Sequence, residues 1–469
     1  METKNTWTTY TDAQLKKVDA FAKEYMDFLD NGKTERECVD TIVNLIEKQG
    51  YVELSKIVDS NKKLKAGDKV YSVNMNKSVA MFHIGKKPLK DGMNILGAHI
   101  DSPRLDVKQN PLYEDSEIAY LDTHYYGGIK KYQWVTIPLS LHGVIVKKDG
   151  STVIVNIGEE DDDPVFFVSD LLIHLSQEQL EKKASKVVEG EALDIIVGNK
   201  PLIIKPDSKA KDNKKDLVKS NFLDILSKMY DVNEEDFLSA ELEVVPAGKA
   251  KEAGLDKSMI LAYGQDDRVC AFPSLKAILD VKSVDRTSCC LLVDKEEIGS
   301  VGATGMRSNF FENTVAEIIS LCEDYSELTL RKCLVNSAML SSDVSAGFDP
   351  SYASAFEKKN AAFLGHGMVF NKFTGSRGKS GSNDANAEYI AHIRNIFEKD
   401  KINFQTSELG KVDLGGGGTI AYILALYGMN VIDAGIAVLN MHAPWEATSK
   451  ADIFETYRGY VSFLKNASI

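Results

Sequence analysis

Leu15, Val18, Phe21, Tyr25 and Phe28 recur at three- and four-residue intervals, the pattern of a helix with one buried face. Thr34 and Glu37 form a capping-box pair ahead of Cys38, Ile42 and Leu45, which predicts a second helix closed by Gly50. From about residue 70 the chain changes to short extended runs such as NILGAHI. Between about 111 and 157 it becomes mostly strand, with VTIPLSLHGVIV and STVIVNI set apart by glycine turns. Residues 205 to 240 are densely charged and predict a solvated loop with one amphipathic surface helix at NFLDILSKMY. Beyond 260, buried strands (CCLLVD, CLVNSAML, VIDAGIAV) alternate with helical stretches and end in KADIFETYRGYVSFLK, the signature of an α/β layered domain.

Length and composition narrow this picture. A chain of 469 residues with 43 % apolar content has material for two or three domains. The net charge of −13, from 69 acidic and 56 basic residues, disfavours a nucleic-acid or anionic-membrane partner. METKNTWTTYTDAQ lacks the basic-then-apolar pattern of a signal peptide, and no apolar run is long enough to span a bilayer, so the expected location is the cytoplasm. The six cysteines show no CxxC spacing and read as small core residues of a reducing compartment.

In open α/β sheets ligands collect beyond the carboxyl ends of strands, so the residues that follow each apolar run carry the candidate chemistry. NILGAHIDSP delivers His99 and Asp101, LAYGQDDRV delivers Asp266 and Asp267, and CCLLVDKEEIGS delivers Glu296 and Glu297. NSAMLSSDVS delivers Asp343, and VIDAGIAVLNMHAPWE ends in His442. Imidazoles and carboxylates converging on one face suit zinc or manganese and would not be tolerated as an empty core. Residues 99 and 101 of an extended chain point the same way, so Asp101 can sit behind His99 and fix its tautomer. If KEEIG is extended, its two glutamates point apart. Glu297 is then the ligand, and Glu296 the general base that takes a proton from a water acidified by the cation. Taken alone, the pair also reads as solvated acids at a helix start.

GAHIDSPRL, GQDDRVCA, VDKEEIGSVGATG, SSDVSAGFDPSY, LGHGMVF, VDLGGGGTIA and DAGIAVLNMHAPWE resemble, in order and over most of the chain, the aspartyl aminopeptidase and vacuolar aminopeptidase I family of zinc exopeptidases. The resemblance implies two divalent metals per subunit, most simply Zn2+ with Co2+ or Mn2+ as substitutes. His99 and Asp343 hold one, Glu297 and His442 the other, and Asp266 bridges them, with Asp267 as the runner-up. Glu296 is the base and Asp101 its companion. The implied fold is a three-layer α/β catalytic domain with a mixed central sheet, in segments 1–106 and 251–469, interrupted by a β-rich dimerisation domain at 107–250. The implied assembly is a tetrahedral dodecamer built from dimers that admits peptides with a free amino terminus. His174 matches an inserted-domain histidine that reaches a neighbouring subunit's site, and His366 braces the pocket.

The chain also departs from that family. YYGGIKKYQWVTIPLSL stands where a tryptophan-rich YGGG stretch ending in DRDL is usual, and Ala346 and Asp349 replace histidines after Asp343. These changes leave the metal ligands intact and bear on specificity; Lys372 or Arg377 is a candidate cation for an acidic substrate. The GGGG run at 415–418 lacks the lysine and hydroxyl pair of a phosphate loop and reads as a backbone wall beside the site. The expected activity is that of a metal-dependent aminopeptidase. The alternatives are a two-metal amidohydrolase acting on N-acylated amino acids and a catalytically inactive scaffold.

Overall fold

The computed structural model describes residues 4–60, 62–204 and 215–468. They divide into two compact units. The first comprises residues up to Ser102, Ala250–Met441 and the segment from Trp445, and the second Pro103–Lys249 with His442–Pro444.

The first unit is built on a nine-stranded sheet in the order Val52–Glu53, Lys69–Asn74, Ser78–His83, Ser288–Val293, Asn94–His99, Ala338–Ser341, Asn430–Gly435, Met368–Asn371, Phe404–Thr406. Its four middle strands, Ser288–Val293 to Asn430–Gly435, run parallel and the sheet as a whole is mixed. Period-two alternation sends neighbouring side chains to opposite faces. Leu96, Cys290, Leu340 and Ile432 join one core with helices Asp12–Asp30, Glu35–Glu47, Gln265–Asp280, Ala387–Asp400 and Lys450–Asn466. Ile95, Leu291, Met339 and Val431 join the other core with helices Phe310–Cys322 and Glu327–Val335. This is the expected three-layer α/β arrangement. Strands buried on both faces read as continuous apolar runs, which is why they stood out in the sequence.

The first two helices form as their patterns predict, each with a complete capping box, at Thr11 with Gln14 and at Thr34 with Glu37. One run was misassigned. CLVNSAML is not a single strand: Cys333 and Leu334 end a helix capped by Ser326, and only Ala338–Ser341 enters the sheet.

The second unit carries a six-stranded antiparallel sheet in the order Thr152–Ile157, Leu139–Val146, Ala240–Pro246, Arg104–Asp115, Ile118–Tyr126, Ile195–Gly198. Helix Leu217–Tyr230 buries Val218, Phe222 and Leu226 and leaves its charged face to solvent. Residues 205–214 of the charged stretch lie outside the described residues.

Candidate active site

His99 ends its strand almost fully buried, at 1 % exposure. Its Nδ1 lies 3.0 Å from the Asp101 carbonyl oxygen and 3.3 Å from Asp101 Oδ1. On the other side of the ring, Nε2 lies 3.2 Å from Asp266 Oδ1 and 3.9 Å from Glu296 Oε2, the nitrogen that a cation would take in place of a proton.

Asp101 has a second task. Its Oδ1 accepts the backbone N–H of Glu296 and its Oδ2 that of Glu297, both at 3.2 Å. The glutamate pair therefore stands on a tight 3-10 turn, Glu296–Ile298, and not on the extended chain the sequence suggested. Lys295, at φ 70°, turns the backbone so that both N–H groups face Asp101.

The other acids arrive from a second turn. After strand Met259–Ala262 the chain passes through Gly264, at φ 70°, into helix Gln265–Asp280, with Asp266 and Asp267 in non-helical geometry and a cis peptide between them. Side chains hold this turn: Glu446 Oε2 accepts the Asp266 N–H at 2.9 Å, and Ser102 Oγ donates to the Asp266 carbonyl at 2.6 Å. Asp267 Oδ2 accepts the His99 N–H at 3.3 Å. Among the described residues, ligand atoms of His99, Asp266 and Glu297 lie within 4.8 Å of one another, as do those of His99, Asp267 and Asp343. Both aspartates thus share the imidazole's neighbourhood.

Burial, then the charges of Glu296, Asp267 and Asp266, push the Asp343 carboxyl well above its ordinary range; burial, then Asp266, does the same to Asp267 against the opposing pull of His99. Burial would lower His99, but hydrogen bonds to Asp101 and Asp266 raise it well above the usual imidazole value. Asp267 Oδ1 is buried without a hydrogen-bond partner among the described residues. Acids so crowded ionise together only around a cation. One imidazole nitrogen with several carboxylate oxygens is a donor set for zinc or manganese, so the residues fit a divalent metal.

The remaining candidates are not in these two groups of ligand atoms. His442 belongs to the second unit, at φ 64°, with Nδ1 2.8 Å from the Gly128 carbonyl oxygen. His174 is exposed on the short turn Ile173–Leu175 of the same unit. Lys372 is half exposed, with Nζ 2.6 Å from Asp384 Oδ1, so its charge is already matched. In the glycine run, Gly416–Gly417 pairs with Gly375–Ser376, and a Cβ on Gly415 would come within 1.7 Å of the Leu409 carbonyl oxygen.

Sequence reading missed Glu446, Ser102 and Asp433. Asp433 is fully buried in strand Asn430–Gly435, takes a 3.0 Å hydrogen bond from Thr419, and is pushed up by burial to about 7. An acid inside the apolar run VIDAGIAV was the available signal.

A parallel-centred sheet between helical layers, with buried carboxylates and one oriented imidazole at its strand ends, defines a metal-dependent hydrolase. The family model for aminopeptidase I zinc metalloproteases (M18) matches residues 28–464, and the chain belongs to that family. It is 62 % identical over 466 residues to the probable M18 family aminopeptidase 1 of Clostridium acetobutylicum, covering 99 % of this chain and 98 % of that protein. The crystal structure of an M18 family aminopeptidase from Thermotoga maritima superposes with a TM-score of 0.93 at 43 % identity, covering all of both chains. The S. cerevisiae mApe1 dodecamer shares the fold, with a TM-score of 0.74 at 22 % identity over 94 % of this chain and 95 % of that one. The protein is a metal-dependent aminopeptidase.

Proposed function

We propose that the chain releases the amino-terminal residue of peptides at a site holding two divalent cations, most simply zinc. His99 and Asp343 would hold one, Glu297 and His442 the other, and Asp266 would bridge them. When bound, the cations supply the polarisation of the scissile carbonyl and the acidification of the attacking water. The protein's own groups do the rest. Glu296, partly exposed at 17 % and 3.9 Å from His99 Nε2, stands beside the donor atoms and can reach a water or a substrate. It takes the proton from the attacking water and returns it to the leaving amine. Asp101 fixes the turn from which Glu296 and Glu297 project, so that one can serve as base and the other as ligand. At His442, Nδ1 facing the Gly128 carbonyl leaves Nε2 as the nitrogen able to bind a cation.

The observation that supports the reading is the double grip of Asp101 on two successive N–H groups, which anchors the turn carrying both carboxylates beside the crowded acids. Its test is a substrate panel on chelator-stripped protein refilled with zinc. Cleavage of free-amine aminoacyl substrates and none of N-acetylated ones is expected; preference for the acylated set would instead make it an amidohydrolase.

Assembly and location complete the proposal. The S. cerevisiae relative forms a dodecamer, and we extend that to a tetrahedral dodecamer of dimers built through residues 107–250, with His174 reaching a neighbouring subunit's site. Sedimentation velocity showing a monomer at micromolar concentration would remove this part. No helix among the described residues is long and apolar enough to cross a membrane. The six cysteines are free thiols, five of them buried, as suits the proposed reducing cytoplasm.

A further inference from the structure

Asp266 is gripped on both sides of its Cα by side chains that are not among the proposed ligands. Glu446, at 1 % exposure, accepts its N–H; Ser102, also at 1 %, donates to its carbonyl. Glu446 is itself fixed. It opens strand Glu446–Ser449, in register with Ala262 on the strand that leads into the Asp266 turn. Its backbone carbonyl accepts Gln265 Nε2, and Gln265 Oε1 in turn accepts the hydroxyl of buried Tyr25.

Burying another carboxylate beside Asp266 and Asp267 is costly unless it does something a neutral group cannot do as well. A charge-assisted bond to an N–H is stronger and more directional than a neutral one, and here the N–H belongs to the residue that must aim a carboxylate at a cation. We infer that Glu446 is a positioning residue for the metal site: its side-chain oxygen sets the orientation of Asp266, with Ser102 as the second anchor, and so tunes cation affinity without touching the cation. The inference rests on the reading of Asp266 as a ligand. It makes Glu446 the outer support of that ligand, as Asp101 is of His99, and outer supports of this kind are worth roughly 10- to 100-fold in metal affinity.

Metal-free full-length protein titrated with Zn2+ in a calorimeter tests it, with Asp266→Asn, Glu446→Ala, Glu446→Gln and Ser102→Ala measured beside the wild type. Asp266→Asn should abolish tight binding of at least one ion. Glu446→Ala should weaken zinc affinity by about 10- to 100-fold, and Glu446→Gln, which keeps an acceptor oxygen for the Asp266 N–H, should recover most of that loss. Ser102→Ala should weaken affinity by a smaller factor, and it replaces Glu446→Ala as the deciding variant if the latter does not fold. Wild-type affinity in folded Glu446→Ala, or in Ser102→Ala when that variant decides, would overturn the inference if Asp266→Asn still loses metal. Wild-type binding by Asp266→Asn would instead remove the ligand reading beneath it. A glutamine variant as weak as the alanine variant would also overturn the inference, because the hydrogen bond would not be what matters.

Discussion

Both units of the molecule bury acids, and they do so in opposite ways. In the second unit the buried acid Glu243 lies 3.2 Å from Arg104, which also holds the partly exposed Asp106 at 2.7 Å with its guanidinium over Tyr126, and nearer the surface Lys108 lies 2.8 Å from Asp122 and 2.7 Å from the exposed Glu191. Each acid there has a base. At the strand ends of the first unit, Asp266, Asp267, Asp343 and Glu297 gather around a single imidazole. A paired cluster is complete as it stands and holds structure together, whereas a crowded one is complete only with a cation. The difference separates scaffold from site more reliably than burial or acidity alone.

The largest effect should come from Glu296→Gln, which removes the proposed base and none of the proposed ligands. Turnover of a free-amine aminoacyl substrate should fall by about 10^3-fold, within the range for losing a general base, and activity within tenfold of the wild type would reject the role. In the paired region, Arg104→Ala removes a cation from buried Glu243 and should cost about 3–5 kcal/mol in urea unfolding while zinc content stays unchanged. Loss of zinc in that variant would break the contrast between the two clusters.

A third kind of buried acid sharpens the comparison. Among the described residues Asp452 is supported by no base; its two oxygens accept the N–H groups of Gly365 and Gly367, both at 2.7 Å. Burial outweighs those bonds and pushes it up to about 8. The folded state therefore keeps a proton that the unfolded chain sheds near pH ~4, so this residue's contribution to stability is present at low pH and fades as pH rises through about 8. Relative to Asp452→Asn, which cannot titrate, the wild type should lose up to about 1.4 kcal/mol per pH unit across that window. Parallel pH–stability curves would count against it. The smallest effect belongs to Lys372→Ala. The pair with Asp384 is half exposed and worth less than about 1 kcal/mol. Because that amine is already matched, the ratio of Asp to Leu substrate cleavage should not move, and a selective collapse on acidic substrates would restore Lys372 as a specificity residue.

Most of the layered fold was legible because strands such as Asn94–His99 and Ser288–Val293 are buried on both faces and advertise themselves as apolar runs. CLVNSAML failed because a short apolar run fits the last turn of a helix as well as a strand, and the choice fell to the Ser326 cap and to packing. The polar residues after each strand were legible as candidates for the same reason. What the sequence could not supply was their support. The grip of Asp101 on the glutamate turn spans 195 and 196 residues, and that of Glu446 on Asp266 spans 180. Local pattern carries no trace of bonds across such separations, so KEEIG reads as either an extended chain or a helix start, and Glu446 went unnoticed.

The division of labour between the two adjacent glutamates is the centre of this account, and zinc content per subunit, measured by mass spectrometry on refilled Glu296→Gln and Glu297→Gln proteins, addresses it most directly. Glu296→Gln should hold as much zinc as the wild type, for which we propose two ions per subunit, and Glu297→Gln should hold fewer. Full zinc in Glu297→Gln with loss in Glu296→Gln would reverse the assignment and contradict the mechanism built on it.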